Sequence, residues 1–207
     1  SWVRRTQDHR YLASTTPPRH RDHGNGTRSA GRQANGRAGD HTMEKVMTTD
    51  DTPAAVVAAL QRRWIFEWDR REGDPAFDFE ANLAGYYDLD SDDVILFDDF
   101  DPQRRVLRSA SEYGKVFAPA FTQLRTAEHA IERAPDVIVS GDLAATQMVF
   151  IARLTAADGS IMGTRAINSQ IWRSGDDGRW RIVRDHTSVE QIPAGEAEHA
   201  MRTLPRS

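Results

Sequence analysis

The stretch from Asp142 to Val189 restricts the possible folds more than any other part of the chain. Residues 144–156 and 161–173 are long runs of β-prone residues joined at Asp158-Gly159. A second turn, Gly175-Asp176-Asp177-Gly178, leads into the run 180–189. Asp-Gly between two apolar runs is a strong hairpin signal. Residues 125–132 and 137–140 carry the same period of two, with turns at Ala134-Pro135-Asp136 and Gly141-Asp142. The spacing therefore predicts a meander of long antiparallel strands.

The residues before it read as helices. Thr52 or Asp51 can cap a first helix and Pro53 suits its first turn. Val57, Leu60, Trp64 and Trp68 then recur on one face, and Gly73 is expected to cap the end. A short second helix is expected over 75–83, ending at Gly85. Val94-Ile95-Leu96-Phe97 reads as a buried strand, closed by Asp98-Asp99-Phe100-Asp101-Pro102. From Ser109 the helical pattern returns, with Tyr113, Phe117, Phe121 and Leu124 on one stripe and Gly114 and Pro119 interrupting it. Helices first and strands last imply an α+β fold: a curved antiparallel sheet with about three N-terminal helices on one face. Strands this long must bend, and a bent sheet capped by helices encloses a cone-shaped cavity suited to a small ligand.

Composition narrows the function. The 207 residues contain no cysteine, which excludes disulfides and thiolate chemistry. No apolar run approaches the length of a membrane helix. Residues 1–42 hold eight Arg against three Asp, a net +5, with few aliphatics, and are expected to be a disordered basic segment or sequence upstream of the true start. The remainder holds 19 basic and 28 acidic residues, a net −9, so the domain expected over 43–192 offers no general attraction to nucleic acid. Residues 193–207 read as a loose tail. With no cysteine, no His-x-His and no glycine-rich phosphate loop, neither a metal nor a cofactor is expected, and the location expected is cytoplasmic.

Three features together resemble the SnoaL-like branch of the NTF2-like superfamily over about residues 52–190. They are the helix containing Trp64, the run Val94–Asp99 after Tyr86-Tyr87, and the ending Asp177-Gly178-Arg179-Trp180-Arg181-Ile182-Val183-Arg184-Asp185-His186-Thr187-Ser188. That superfamily includes ketosteroid isomerases, polyketide cyclases, epoxide hydrolases and association domains. The resemblance implies a homodimer through the outer face of the sheet. It also implies a small-molecule partner in the cavity, handled by cofactor-independent isomerase, cyclase or hydrolase chemistry. The alternative is a ligand-binding or dimeric association module without turnover. Arg184 stands where relatives often carry a second histidine, which favours an anionic ligand or an ion pair there.

Alternation places Trp180, Ile182, Arg184, His186 and Ser188 on one face, and the two apolar members suggest that it is the cavity side. His186 is then a candidate general base, with Ser188 its hydrogen-bond partner. On the preceding strand, Arg165 and Ser169 are assigned to the inner set because the resemblance implies an Arg and a small hydroxyl residue at this spacing, although a one-residue bulge would exchange the faces. Asp98 is the other candidate base, since a carboxylate in an apolar cleft has a raised pKa. Tyr86, Tyr87 and Tyr113 are candidate phenol donors. Trp64, Trp68, Phe117 and Phe121 are candidate pocket walls that could equally be core. For Asp98 and His186, a solvated turn and a structural hydrogen bond are the competing readings.

Overall fold

In the computed structural model, residues 52–89 and 91–206 are described. The expectation for residues 1–42 lies outside them. α1 (Pro53–Phe66) starts where expected: Thr52 Oγ1 accepts from Ala55 N–H at 3.2 Å. It ends earlier than expected, with Glu67 as its C-cap, while Gly73 sits in a turn at φ +88°. α2 is short (Phe79–Leu83), capped by Asp78. α3 (Ala110–Thr122) is capped by Ser109 and retains Pro119 in its last turns.

Six strands form a single sheet in the order β2-β1-β6-β5-β4-β3. They are β1 (Ile95–Asp98), β2 (Val106–Leu107), β3 (Leu124–Ser140), β4 (Leu143–Ala156), β5 (Ile161–Ser174) and β6 (Trp180–Ile192). The pairs β3–β4, β4–β5, β5–β6 and β1–β2 are antiparallel, but β1 runs parallel to β6, so the sheet is mixed rather than purely antiparallel. Residues 125–140, expected as two strands, are continuous: register shifts near Arg133 and Asp136 absorb the Ala134-Pro135 break. The two-residue β2 gave no sequence signal.

The three N-terminal helices cover the inner face. Val57 and Trp64 from α1, Tyr113 and Phe117 from α3, and Phe150 and Trp172 from the sheet share one buried core. Gly114 allows α2 to lie close to α3, because a Cβ there would stand 2.6 Å from Phe79 Cδ1. The segment after Pro193, expected to be loose, contains α4 (Ala194–Thr203). Its Ala197 and Ala200 pack on the outer face of the sheet against Ile151 and Ile192. Among the described residues no helix is long and apolar enough to cross a membrane.

Candidate functional site

The inner face of β6 is decided by one residue. Trp172 of β5 pairs with Ile182, but Ile171 pairs with Arg184, so Val183 is an extra residue and the strand's alternation inverts there. Ile182 is inward and fully buried, as expected. Beyond the bulge Asp185 and Thr187 turn inward, and Arg184, His186 and Ser188 turn out. The inward placement expected for those three is therefore corrected. His186 is exposed, its Nε2 3.2 Å from Ser188 Oγ and its ring edge-on to Phe97. Arg184 donates to the Asp93 carbonyl at 3.0 Å.

The inner set of β5 is likewise Ala166, Asn168, Gln170 and Trp172, not Arg165 and Ser169. Arg165 lies on the outer face, where its guanidinium is held by Glu132, Glu190 and Glu196 at 2.8 to 3.0 Å. This cluster fastens α4 to the sheet and raises the Arg165 pKa, chiefly through the Glu132 hydrogen bond. Ser169 sits outside too, opposite His186.

Inside, two carboxyls face the core, Asp185 buried and Asp98 half-buried at the end of β1. Asp185 is 3% exposed. It accepts from Asn168 Nδ2 at 2.7 Å, Gln170 Nε2 at 3.2 Å and the Tyr87 hydroxyl at 3.0 Å. Tyr87 in turn accepts from Trp64 Nε1, and Asn168 Oδ1 accepts from Gln61. These donors favour the ionised acid, but burial outweighs them and pushes the Asp185 pKa up to about 7.

Asp98, the last residue of β1, points the same way as the buried Leu96. Its Oδ1 accepts from Phe100 N–H at 2.8 Å and its Oδ2 from the Tyr113 hydroxyl at 3.1 Å. Burial dominates again and pushes it up to about 7, with the Asp185 charge adding to the rise against the two hydrogen bonds. Tyr113 is held well above the ordinary phenol range by burial and the Asp98 charge. Among the described residues no Arg or Lys forms an ion pair with either acid.

Asp98, Tyr113 and Thr187 face one small cavity of about 30 Å³. Its walls include Trp64, Trp68, Phe117 and Phe121, so the structure brings these four together with Asp98 and Tyr113. Tyr86 is set apart: it donates to Glu67 Oε1 at 3.3 Å and packs edge-on to Trp172. Phe100 and Phe121, both half-buried, are the cavity's most exposed rings. The void has room for about one water. Larger space opens elsewhere, in grooves on the surface between α2 and α3 and beside Arg70 and Arg206, where no buried acid is present.

Sequence reasoning missed the partners. Gln170 lies directly opposite Asp185, and Asn168 opposite Thr187, so four polar side chains form two cross-strand pairs inside the cone. They look like a solvated strand face unless the bulge is known. His129 was missed as well. It lines the cavity, 3% exposed, with Nδ1 2.8 Å from Asp69 Oδ1. Asp69 is 60 residues away in sequence and no local motif announces the contact. Among the described residues no group of acids and histidines is arranged to hold a metal ion.

No family model matches the chain, and no curated protein matches it. Solved structures do. An NTF2-like superfamily protein from Salmonella enterica serovar Typhimurium superposes with a TM-score of 0.54, at 17% identity over 68% of this chain and 94% of that one. A Xanthomonas campestris protein described as a calcium/calmodulin dependent protein kinase II association domain gives 0.52, at 22% identity over 74% and 98%. A protein from Kribbella flavida gives 0.52, at 16% identity over 69% and 94%. At these identities the likeness establishes the fold, which is NTF2-like.

Proposed function

We propose that this chain takes one small, largely apolar molecule with a carbonyl or similar acceptor into the cone and moves a proton on it, with Asp98 as the acid–base group. The observation that carries this reading is the Asp98–Tyr113 pair. A carboxyl whose pKa sits near 7 is populated in both forms at neutral pH, which is what a proton-shuttling group requires. The phenol beside it can follow the charge as it develops. The surrounding rings exclude water and would accept an apolar skeleton. Entry requires Phe100 and Phe121 to swing aside, since the closed cavity holds far less than a ligand. The test is a thermal-shift screen of wild type and Asp98→Asn against ketones, steroids, epoxides and small carboxylates. A compound that stabilises wild type and loses its effect or its conversion in the variant supports the reading. Uniform indifference of wild type to every class overturns it.

A second reading rests on a different observation. The outer face of the sheet beyond α4 carries exposed Ile138, Ile167 and Ile171, with Val106 at its edge. Cross-strand pairing sets Ile138, Ala145 and Ile171 in one row. Such a strip is suited to a second copy of the chain, and the Xanthomonas campestris structure is itself described as an association domain. A homodimer through this face is compatible with the first reading and does not need the cavity to open.

A further inference from the structure

The sheet ends in two unequal edges. At one side β2 is only two residues long, which blunts it. At the other, β3 runs for 17 residues. The first half of this long edge is closed by the chain itself. Ala127 exchanges both backbone bonds with Arg70, at 2.8 and 2.9 Å. The His129 N–H donates to Asp69 Oδ1 at 2.9 Å and the Ile131 N–H to the Pro205 carbonyl at 3.0 Å. Three alternate outward amides thus find partners outside the sheet. The second half is open. Ser140 and Leu143 pair across the two-residue turn Gly141-Asp142, with Gly141 at φ +61°. A pair closing such a turn exchanges its backbone bonds, so Ser140 and Ile138 bond β4 while Val139 and Val137 direct N–H and C=O away from it. Among the described residues no other segment bonds these outward groups. The side chains here are apolar and β-prone: Val137 and Val139 are half-buried against the core, and Ile138 is 72% exposed. None of the usual protections of an edge, a lysine, a proline or a bulge, falls within residues 136–140.

We propose that the β3 edge over residues 136–140 takes an extended peptide segment of a partner protein as a seventh strand. The peptide's main chain bonds Val137 and Val139, and its alternate apolar side chains lie beside these valines on the inner side. Charge defines its ends. Asp136 and Asp142 flank the apolar run, both exposed and neither in an ion pair among the described residues. Arg133, the nearest cation along the strand, lies beyond the register shifts. A segment with basic residues on either side of its apolar stretch is therefore the complement. The length of the open edge distinguishes a peptide from a second copy of the chain. Five residues of strand span about 17 Å. That contact is far smaller than the roughly 800 Å² per partner of a stable dimer, but it is the length over which peptide strands bind by main-chain hydrogen bonds. An added strand continues the plane of the sheet. It leaves the cavity and the outer apolar strip as they are, and it does not depend on either reading above.

The experiment uses the full chain, labelled with nitrogen-15, and the capped peptide acetyl-Lys-Val-Thr-Val-Thr-Val-Lys-amide as the probe. Saturable binding should move the Val137 and Val139 amide resonances downfield and slow their hydrogen exchange by about tenfold or more, with little change at Ile138 and Ser140. Methylating one alternate set of the peptide's amides should abolish binding and methylating the other should not, because a strand added at one edge uses only alternate amides. Glutamates in place of the two lysines should weaken binding by about tenfold. Val139→Pro removes an outward N–H and no ladder bond, so it should melt close to wild type and bind about tenfold or more weakly. If that variant fails to fold, the two methylated peptides decide the matter. Three results overturn the proposal: no saturable binding, equal binding of both methylated peptides, or Val137 and Val139 exchanging as slowly as Ile138 before any peptide is added. A lower sedimented mass for Val139→Pro than for wild type means that a second copy holds the edge, and overturns the peptide assignment.

Discussion

The Tyr87 hydroxyl donates to Asp185 Oδ2 at 3.0 Å across 98 residues of sequence, and accepts the Trp64 indole N–H at the same distance. One oxygen thus ties α1, the segment before β1 and the bulged strand β6 inside the core. Tyr87→Phe removes a donor from a buried acid and strands a buried indole N–H. We expect a loss of about 2–3 kcal/mol in chemical denaturation. Tyr86→Phe is the comparison. Its hydroxyl makes one longer bond to the rim residue Glu67, and the loss should stay below about 1 kcal/mol.

The two interior acids set a pH dependence of opposite sign to that of an ion-paired carboxylate. Their folded pKa values, each about 7, lie well above the 3.8 ordinary for an aspartate. The folded chain therefore binds more protons than the unfolded chain between these limits, and stability falls as pH rises through this window. The favourable contribution is complete below the unfolded value and lost once the folded pKa is passed. Each acid should contribute about 2–3 kcal/mol to the loss between pH 5 and 8. Asp185→Asn should flatten the slope. A melting temperature that climbs over this range would contradict the burial of Asp185.

Gly114→Ala tests the contact between α2 and α3. In an isolated helix the change would stabilise by about 1 kcal/mol. Here the new methyl would meet the buried Phe79 ring at 2.6 to 2.7 Å, and Phe79 has little room to move. Overpacking should win, with a net loss of about 1–3 kcal/mol by denaturant titration.

This glycine also shows what the sequence conveys and what it hides. Helical periodicity announced α1 and α3, and period-two runs with Asp-Gly turns announced β4 to β6, because those signals are local. Gly114 was legible only as a weak point in a helix, since its packing partner lies 35 residues upstream. The inward face of β6 could be followed as far as Ile182. Beyond that the Val183 bulge exchanged Asp185 and Thr187 for His186 and Ser188, and no residue type marks such a bulge. Asn168 and Gln170 fell in the outer set because the resemblance assigned Arg165 and Ser169 to the inner one. Asp98 and Tyr113 were legible as chemistry-bearing residues, and the hydrogen bond between them was not.

The outer face offers a test that leaves the cavity untouched. Ile171 pairs across the sheet with Ala145 and Arg184, and Ile167 with Val149 and Ser188. Both isoleucines are more than a third exposed, so charging them removes little packing within one copy. Ile167→Lys with Ile171→Lys should change the stability of the single chain by no more than about 1 kcal/mol. Sedimentation should show wild type as a dimer and the double variant as a monomer. Equal masses for the two would remove this face as an interface.

Phe121 tests whether the closed cavity is closed by packing alone. Its ring lies 4.8 Å from Trp68 and 5.4 Å from Phe77, and it is only half-buried. Phe121→Ala should cost about 2 kcal/mol of stability, below the loss for a fully buried ring. It should also enlarge a void of about 30 Å³ next to Trp68 and Asp98. If ligands enter here, cyclohexanone should stabilise the variant more than wild type at equal concentration, because less of the binding energy is used to displace the ring. A variant that is destabilised and indifferent to the ketone would mean that Phe121 belongs to the core alone. The Asp98–Tyr113 pair would then have no route to a substrate from this side.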